Sequence, residues 1–151
     1  MIKDIALNLS VAAAADATVD YAVSLARTFG ARTTAIAFAY EKMPVGIFGD
    51  ERWVDGVEAL RKEAEAAAQA AVTRFETLAR AAGLTFTTRR VATTFEGTAE
   101  AFGRIARRYD LSVVRQAEPR TGTSDHLIIR KFIMSDQRSD HDFIALFTNV
   151  R

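Results

Sequence analysis

The 151-residue chain carries 20 basic and 19 acidic side chains, a net charge of +1, with 49% hydrophobic and 26% charged residues. That is the composition of one ordinary globular domain, with no basic field to draw nucleic acid to it. It has no cysteine and two histidines, His126 and His141, which excludes disulfides, thiolate metal sites and a histidine-rich metal centre.

In chain order, Ile2 to Ser10 reads as an opening strand that ends in a polar turn. The acid at Asp4 and the lack of a long apolar run separate this start from a secretory signal. No stretch approaches the roughly 20 apolar residues needed to span a bilayer. The expectation is a cytoplasmic protein that binds neither membrane nor nucleic acid.

Residues 12 to 29 carry good helix formers, with Val19, Ala22, Val23 and Ala26 on one face and Gly30 placed to stop the helix. Thr33 to Tyr40 is mostly apolar, as expected of a strand covered on both faces. Glu41 to Gly56 reads as a long loop, since Gly46, Gly49, Gly56 and Pro44 punctuate Val45, Ile47, Phe48, Trp53 and Val54. Its apolar set either caps the sheet edge or forms a contact with a partner or a second copy.

Val57 to Ala82 is predicted as the longest helix. Val57, Leu60, Ala64, Ala68, Ala71, Phe75, Leu78 and Ala82 lie along its buried stripe, and Gly83 ends it. Arg61, Lys62, Glu63 and Glu65 form a solvated face. Leu84 to Ala92 is a threonine-rich third strand. Glu96-Gly97 turns the chain, and Thr98 is expected to cap a helix carrying Ala99, Phe102, Ile105 and Ala106. Leu111 to Val114 is the fourth strand. Strands alternating with helices imply right-handed crossovers and a parallel α/β sheet.

Several segments together resemble the universal stress protein family over residues 1 to 128. They are the opening Ile2-Lys3-Asp4-Ile5, the helix Ala22 to Ala31, Ala82-Gly83-Leu84, the Glu96-Gly97 turn and Ala106 to Leu111. Gln116-Ala117-Glu118-Pro119 is similar to a turn in the first half of tandem members of that family. The resemblance implies a single domain over 1–151 with an open parallel five-stranded sheet flanked by helices, a Rossmann-like sandwich like that of the adenine nucleotide alpha-hydrolases. It also implies a homodimer or pairing with a second similar domain. Many members hold a nucleotide, commonly ATP, across the carboxyl ends of the strands.

Nucleotide-binding members end strand one in aspartate, and here the matching residue is Asn8, which keeps hydrogen bonding without the charge. Their phosphate loop, G-x2-G-x9-G-[ST], falls on Arg115, Glu118, Ile128 and Ile129, so its glycines and hydroxyl are absent. Glu118 would set a negative charge against phosphate. The expectation is therefore a regulatory stress-response protein without enzymatic activity and without a bound cofactor.

The alternative is an ATP- or AMP-binding protein with a divergent loop and at most slow ATP hydrolysis. Asn8, Ser10, the strand-two main chain at Ala37 and Phe38, Gln116, Arg120, Gly122, Thr123 and Ser124 would then converge. Thr123 or Ser124 could equally cap a helix beginning near Asp125. Asp4 and Asp110 fall at strand starts, the opposite edge from such a site. His126 beside Asp125 has no partnered nucleophile in view.

The tail over 129–151 departs from the family, lacking its small-Gly-Arg-Pro turn. Residues 127 to 134 could form a short helix, 135 to 142 a polar connector, and Phe143 to Phe147 a last strand. The chain could also be a shortened or frame-shifted tandem protein that self-associates in place of its lost half.

Overall fold

A computed structural model describes residues 1–12, 17–41, 51–94, 97–115 and 145–148, the side chains of 51–53 and 145–148 excepted. The elements are β1 (Asp4–Leu9), α1 (Ala17–Phe29), β2 (Arg32–Tyr40), α2 (Glu51–Ala81), β3 (Phe86–Thr93), α3 (Thr98–Ala106), β4 (Leu111–Arg115) and β5 (Ala145–Thr148). Every strand pairing is parallel, and the sheet order is β3-β2-β1-β4-β5. The first strand therefore sits in the interior of the sheet. The architecture is α/β, a parallel sheet with helices on its faces.

Two helices stop as their glycines foretell. Gly30 and Gly83 adopt φ +62 and +68. Each helix closes with a paired cap: Ala31 N–H donates to Ala26 O and Gly30 N–H to Arg27 O after α1, and Leu84 N–H donates to Ala79 O and Gly83 N–H to Arg80 O after α2. This double closure satisfies carbonyls that a helix end otherwise leaves unpaired, and it needs a left-handed residue that glycine supplies cheaply.

The strands alternate between two cores. Ile5, Leu7 and Leu9 of β1 join Ala35 and Ala37 of β2 and Leu111 and Val113 of β4 under α1 and α2. Ala6, Ile36, Phe38 and Val114 face the other way, against Ala99, Phe102 and Ala106 of α3. Phe75 of α2 meets Phe86 of β3 edge-on, centroids 5.5 Å apart, and Phe38 meets Phe102 similarly at 6.5 Å. Edge-to-face contact sets a positive ring rim against a negative ring face.

The structure corrects the sequence reading in three places. Residues 51 to 56 belong to α2 rather than to a loop, so the helix starts six residues early. Gly56 was misleading because a single glycine inside a helix costs only about 1 kcal/mol, which a 31-residue helix absorbs. Leu78 is 43% exposed while Ala79 is fully buried, so the buried stripe runs Ala68, Ala71, Val72, Phe75, Ala79. The small alanine lets the helix end lie close on the sheet.

The third correction concerns Thr98, which does not cap α3. It is the first helical residue, fully buried, and its hydroxyl donates to Thr94 O at 3.0 Å. The Thr94 hydroxyl instead accepts from Gly97 N–H at 3.2 Å. An added Cβ at Gly97 would lie 2.8 Å from Thr93 Oγ1, so a side chain there would force the Thr93 hydroxyl to move. Among the described residues no helix is long and apolar enough to cross a membrane.

Candidate functional site

In an open parallel sheet the strand order reverses where β1 has neighbours from both directions, here β2 and β4. α1 and α3 lie on opposite faces of the sheet, and in sheets of this kind a crevice opens at the carboxyl ends of the strands where the order reverses. The β1 end of that crevice is Asn8-Leu9-Ser10. Asn8 lies opposite Ile36 in the ladder and, by alternation with Ile5, Leu7 and Leu9, projects toward the α3 face.

Asn8 is only 2% exposed, and its Oδ1 has no hydrogen-bond partner among the described residues. Ser112 of β4 projects to the same face by the same alternation, is equally buried, and its Oγ is likewise without a partner. These two strands are neighbours, with Ser112 paired to Ala6 in register. A buried acceptor left unsatisfied costs about 1–3 kcal/mol, so Asn8, next to the end of β1, marks a place that something polar would complete. Ser112, opposite Ala6, lies deeper in the sheet toward its amino end. Thr33 Oγ1 is a third such atom, at the other end of β2 and under the opposite face.

Ala37 and Phe38 are both buried, and on opposite faces: Ala37 under α1 and α2, Phe38 against Phe102. The ladder between β1 and β2 ends at Leu9 opposite Ala37, whereas β2 continues beside β3 to Tyr40. The strand therefore projects past β1 at the mouth of the crevice, as a main-chain recognition role for Phe38 requires. Ser10, half-buried, follows directly. Arg115 closes β4 at the same edge, aligned with Thr148. Gln116, Arg120, Gly122, Thr123 and Ser124 lie outside the described residues, as do Val45, Ile47 and Phe48, His126 and the whole phosphate-loop position beyond Arg115. The structure thus brings Asn8 and the β2 end together at one edge.

Ser112 was missed in the sequence. The available signal was a serine inside the apolar run Leu111 to Val114, in a strand covered on both faces. Among the described residues no group of three or more His, Asp or Glu is placed to hold a metal ion.

The opposite edge is built differently. Asp110 Oδ2 accepts from the main-chain N–H groups of Lys3 at 2.8 Å and Asp4 at 3.1 Å. Those two N–H donors hold the Asp110 carboxyl below its ordinary range, since they favour the charged form. The Asp4 carboxylate in turn holds Arg32 at 2.8 Å, and that hydrogen bond raises the guanidinium further above its ordinary value. These acids fasten the strand starts and face away from the crevice.

No protein-family model and no curated protein sequence matches the chain. Solved structures do. A member of the universal stress protein family from Burkholderia pseudomallei is similar over 99% of this chain and 97% of its own, at 19% identity and a TM-score of 0.66. Universal stress protein UspA from Lactobacillus plantarum is similar over 96% and 97%, at 13% identity and a TM-score of 0.66. A universal stress protein family protein from Arabidopsis thaliana, solved with AMP bound, is similar over 97% and 92%, at 9% identity and a TM-score of 0.60. At these identities the likeness is one of architecture: the chain has the fold of the universal stress proteins.

Proposed function

We propose that this chain is a universal-stress-type regulatory protein, dimeric or paired with a second similar domain, that acts without enzymatic turnover and without an ATP phosphate loop. The observation that carries the reading is Asn8. At the end of β1, where nucleotide-binding relatives resembled by this sequence place a carboxylate, stands a neutral amide, 2% exposed. The substitutions Arg115, Glu118, Ile128 and Ile129 along the loop support it. The sheet is read as the five-stranded form of the fold, with β5 beside β4 supporting that reading.

A second reading is favoured by a specific feature, the Asn8 Oδ1 next to the end of β1, unpartnered among the described residues. That oxygen could receive a donor of a ribose or an adenine, and a similar structure from Arabidopsis thaliana holds AMP. On this reading the protein is an AMP- or ATP-binding stress protein with a divergent loop.

A thermal-shift titration with ATP, ADP and AMP, with and without magnesium, separates the two. A ligand at 100 times its dissociation constant stabilises the native state by about 2.7 kcal/mol, several degrees for a domain of this size. No shift at millimolar nucleotide is expected of the first reading. A saturable shift would replace it with the second.

A further inference from the structure

We propose that the free edge of β3, with the groove between β3 and α2, binds an extended acidic peptide of a partner protein by strand addition. β3 is the last strand in the sheet order and, among the described residues, pairs with β2 alone. Thr33 N–H donates to Thr85 O and Glu41 N–H to Thr93 O. In a parallel ladder alternate residues address the neighbour, so odd-numbered residues of β3 face β2. The main-chain groups of Phe86, Thr88, Arg90 and Ala92 point away from the sheet, a ready template for another strand.

The side chains fit the same occupant. Thr88, Arg90 and Ala92 line a groove of about 560 Å³ whose other wall is α2, with Gln69 and Val72, and whose floor includes Ala39. Alanines leave the space between helix and edge strand unfilled, and an added strand would lay every second side chain into it.

The charges favour acid. Arg89 and Arg90 are consecutive and exposed, so one stands on each face of the sheet at its edge, and neither has an ion pair among the described residues. The acids bordering the groove each already hold an arginine, Glu65 with Arg61 at 3.1 Å and Glu76 with Arg80 at 2.8 Å. The second oxygen of Glu76 accepts from the Thr88 hydroxyl at 3.2 Å, which leaves Arg89 and Arg90 as the unmatched charges beside this edge among the described residues. Two-fold antiparallel pairing of this edge with itself, centred on Arg89 or Arg90, would set that arginine against its own copy, which is unfavourable. Two adjacent glutamates in an added strand would project to opposite faces and meet both arginines, a complementarity that also steers encounter.

The probe is an end-blocked, fluorescein-labelled peptide, Thr-Val-Thr-Glu-Glu-Val-Thr, with Lys-Lys in place of Glu-Glu as its counterpart. Anisotropy should show saturable binding of the glutamate peptide, weaker at high salt. Amide resonances of Thr88, Arg90 and Ala92 should move most in a heteronuclear NMR titration. The double change Arg89→Glu, Arg90→Glu should weaken the glutamate peptide about tenfold or more and reverse the preference. Ala92→Pro should also weaken it, because it removes an outward donor and spares the ladder to β2, a position where edge strands tolerate proline. Equal binding of both peptides, or unmoved β3 amides, would overturn the proposal. So would β3 amides that shift with protein concentration alone, since the edge would then belong to a second copy.

Discussion

The two ends of β1 both carry polar residues and put them to opposite use. At the amino end, Asp110 takes two main-chain donors, Asp4 takes Arg32, and Asp110 N–H returns to Asp4 O at 3.0 Å. This network is open to water, where an unpaired group would cost little. At the carboxyl end of β1, Asn8 is 2% exposed and its Oδ1 lacks a partner among the described residues, where an unpaired group costs most. One edge is a fastening that is complete in itself, and the other is an arrangement that asks for something more. Burial, rather than charge, tells them apart.

The largest test removes the ground beneath the carboxyl edge. Phe102 is fully buried against Phe38 on the face that carries Asn8. Phe102→Ala should cost about 3–5 kcal/mol, read as a lower urea midpoint and a melting temperature lower by roughly 10 °C. A loss under 1 kcal/mol would mean that the α3 face adds little to the stability of that edge.

A smaller change probes the contrast directly. Asn8→Leu, close in shape and without the unsatisfied acceptor, should stabilise the ligand-free protein by about 1–3 kcal/mol in urea unfolding, and abolish any shift that AMP produces. Destabilisation would show that the amide already has a partner, and the contrast between the two edges would collapse.

The smallest effect lies at the fastened edge. Because the Asp110 carboxyl is held below its ordinary 3.8, its contribution is present above that value and is lost as pH falls from there through the lowered folded-state value. Asp110→Ala should therefore melt slightly lower than the parent at pH 7, with the two curves converging in acid. A gap that persists at the lowest pH would assign the difference to packing instead of charge.

Much of this was legible in the sequence, and the gaps have physical causes. Strands β1 to β4 and helices α1 and α3 follow from apolar spacing, and Gly30 and Gly83 announce the ends of α1 and α2 because both stops need a left-handed residue. The start of α2 was hidden by Gly56, since local propensity yields to a long helix with ion pairs such as Arg61 with Glu58 and Glu65. The position of Asn8 at the end of β1 could be read from the residues. Its unpaired state could not, because that depends on strands brought together from distant parts of the chain. The β3 groove was invisible for the same reason: α2 and β3 adjoin in sequence, but the space between them exists only once both pack on β2.

The interior place of β1 has a consequence for how the molecule comes into being. Lys3 and Asp110, joined by a hydrogen bond, are 107 residues apart. At a synthesis rate of about 5–20 residues per second, the first strand leaves the ribosome on the order of 5–20 s before its second neighbour exists. During that interval it has β2 on one side and nothing on the other. A nascent chain is thus obliged to keep a strand destined for burial half-wed, and the Asp110 carboxylate, arriving just ahead of β4, is the first group to claim the vacant side.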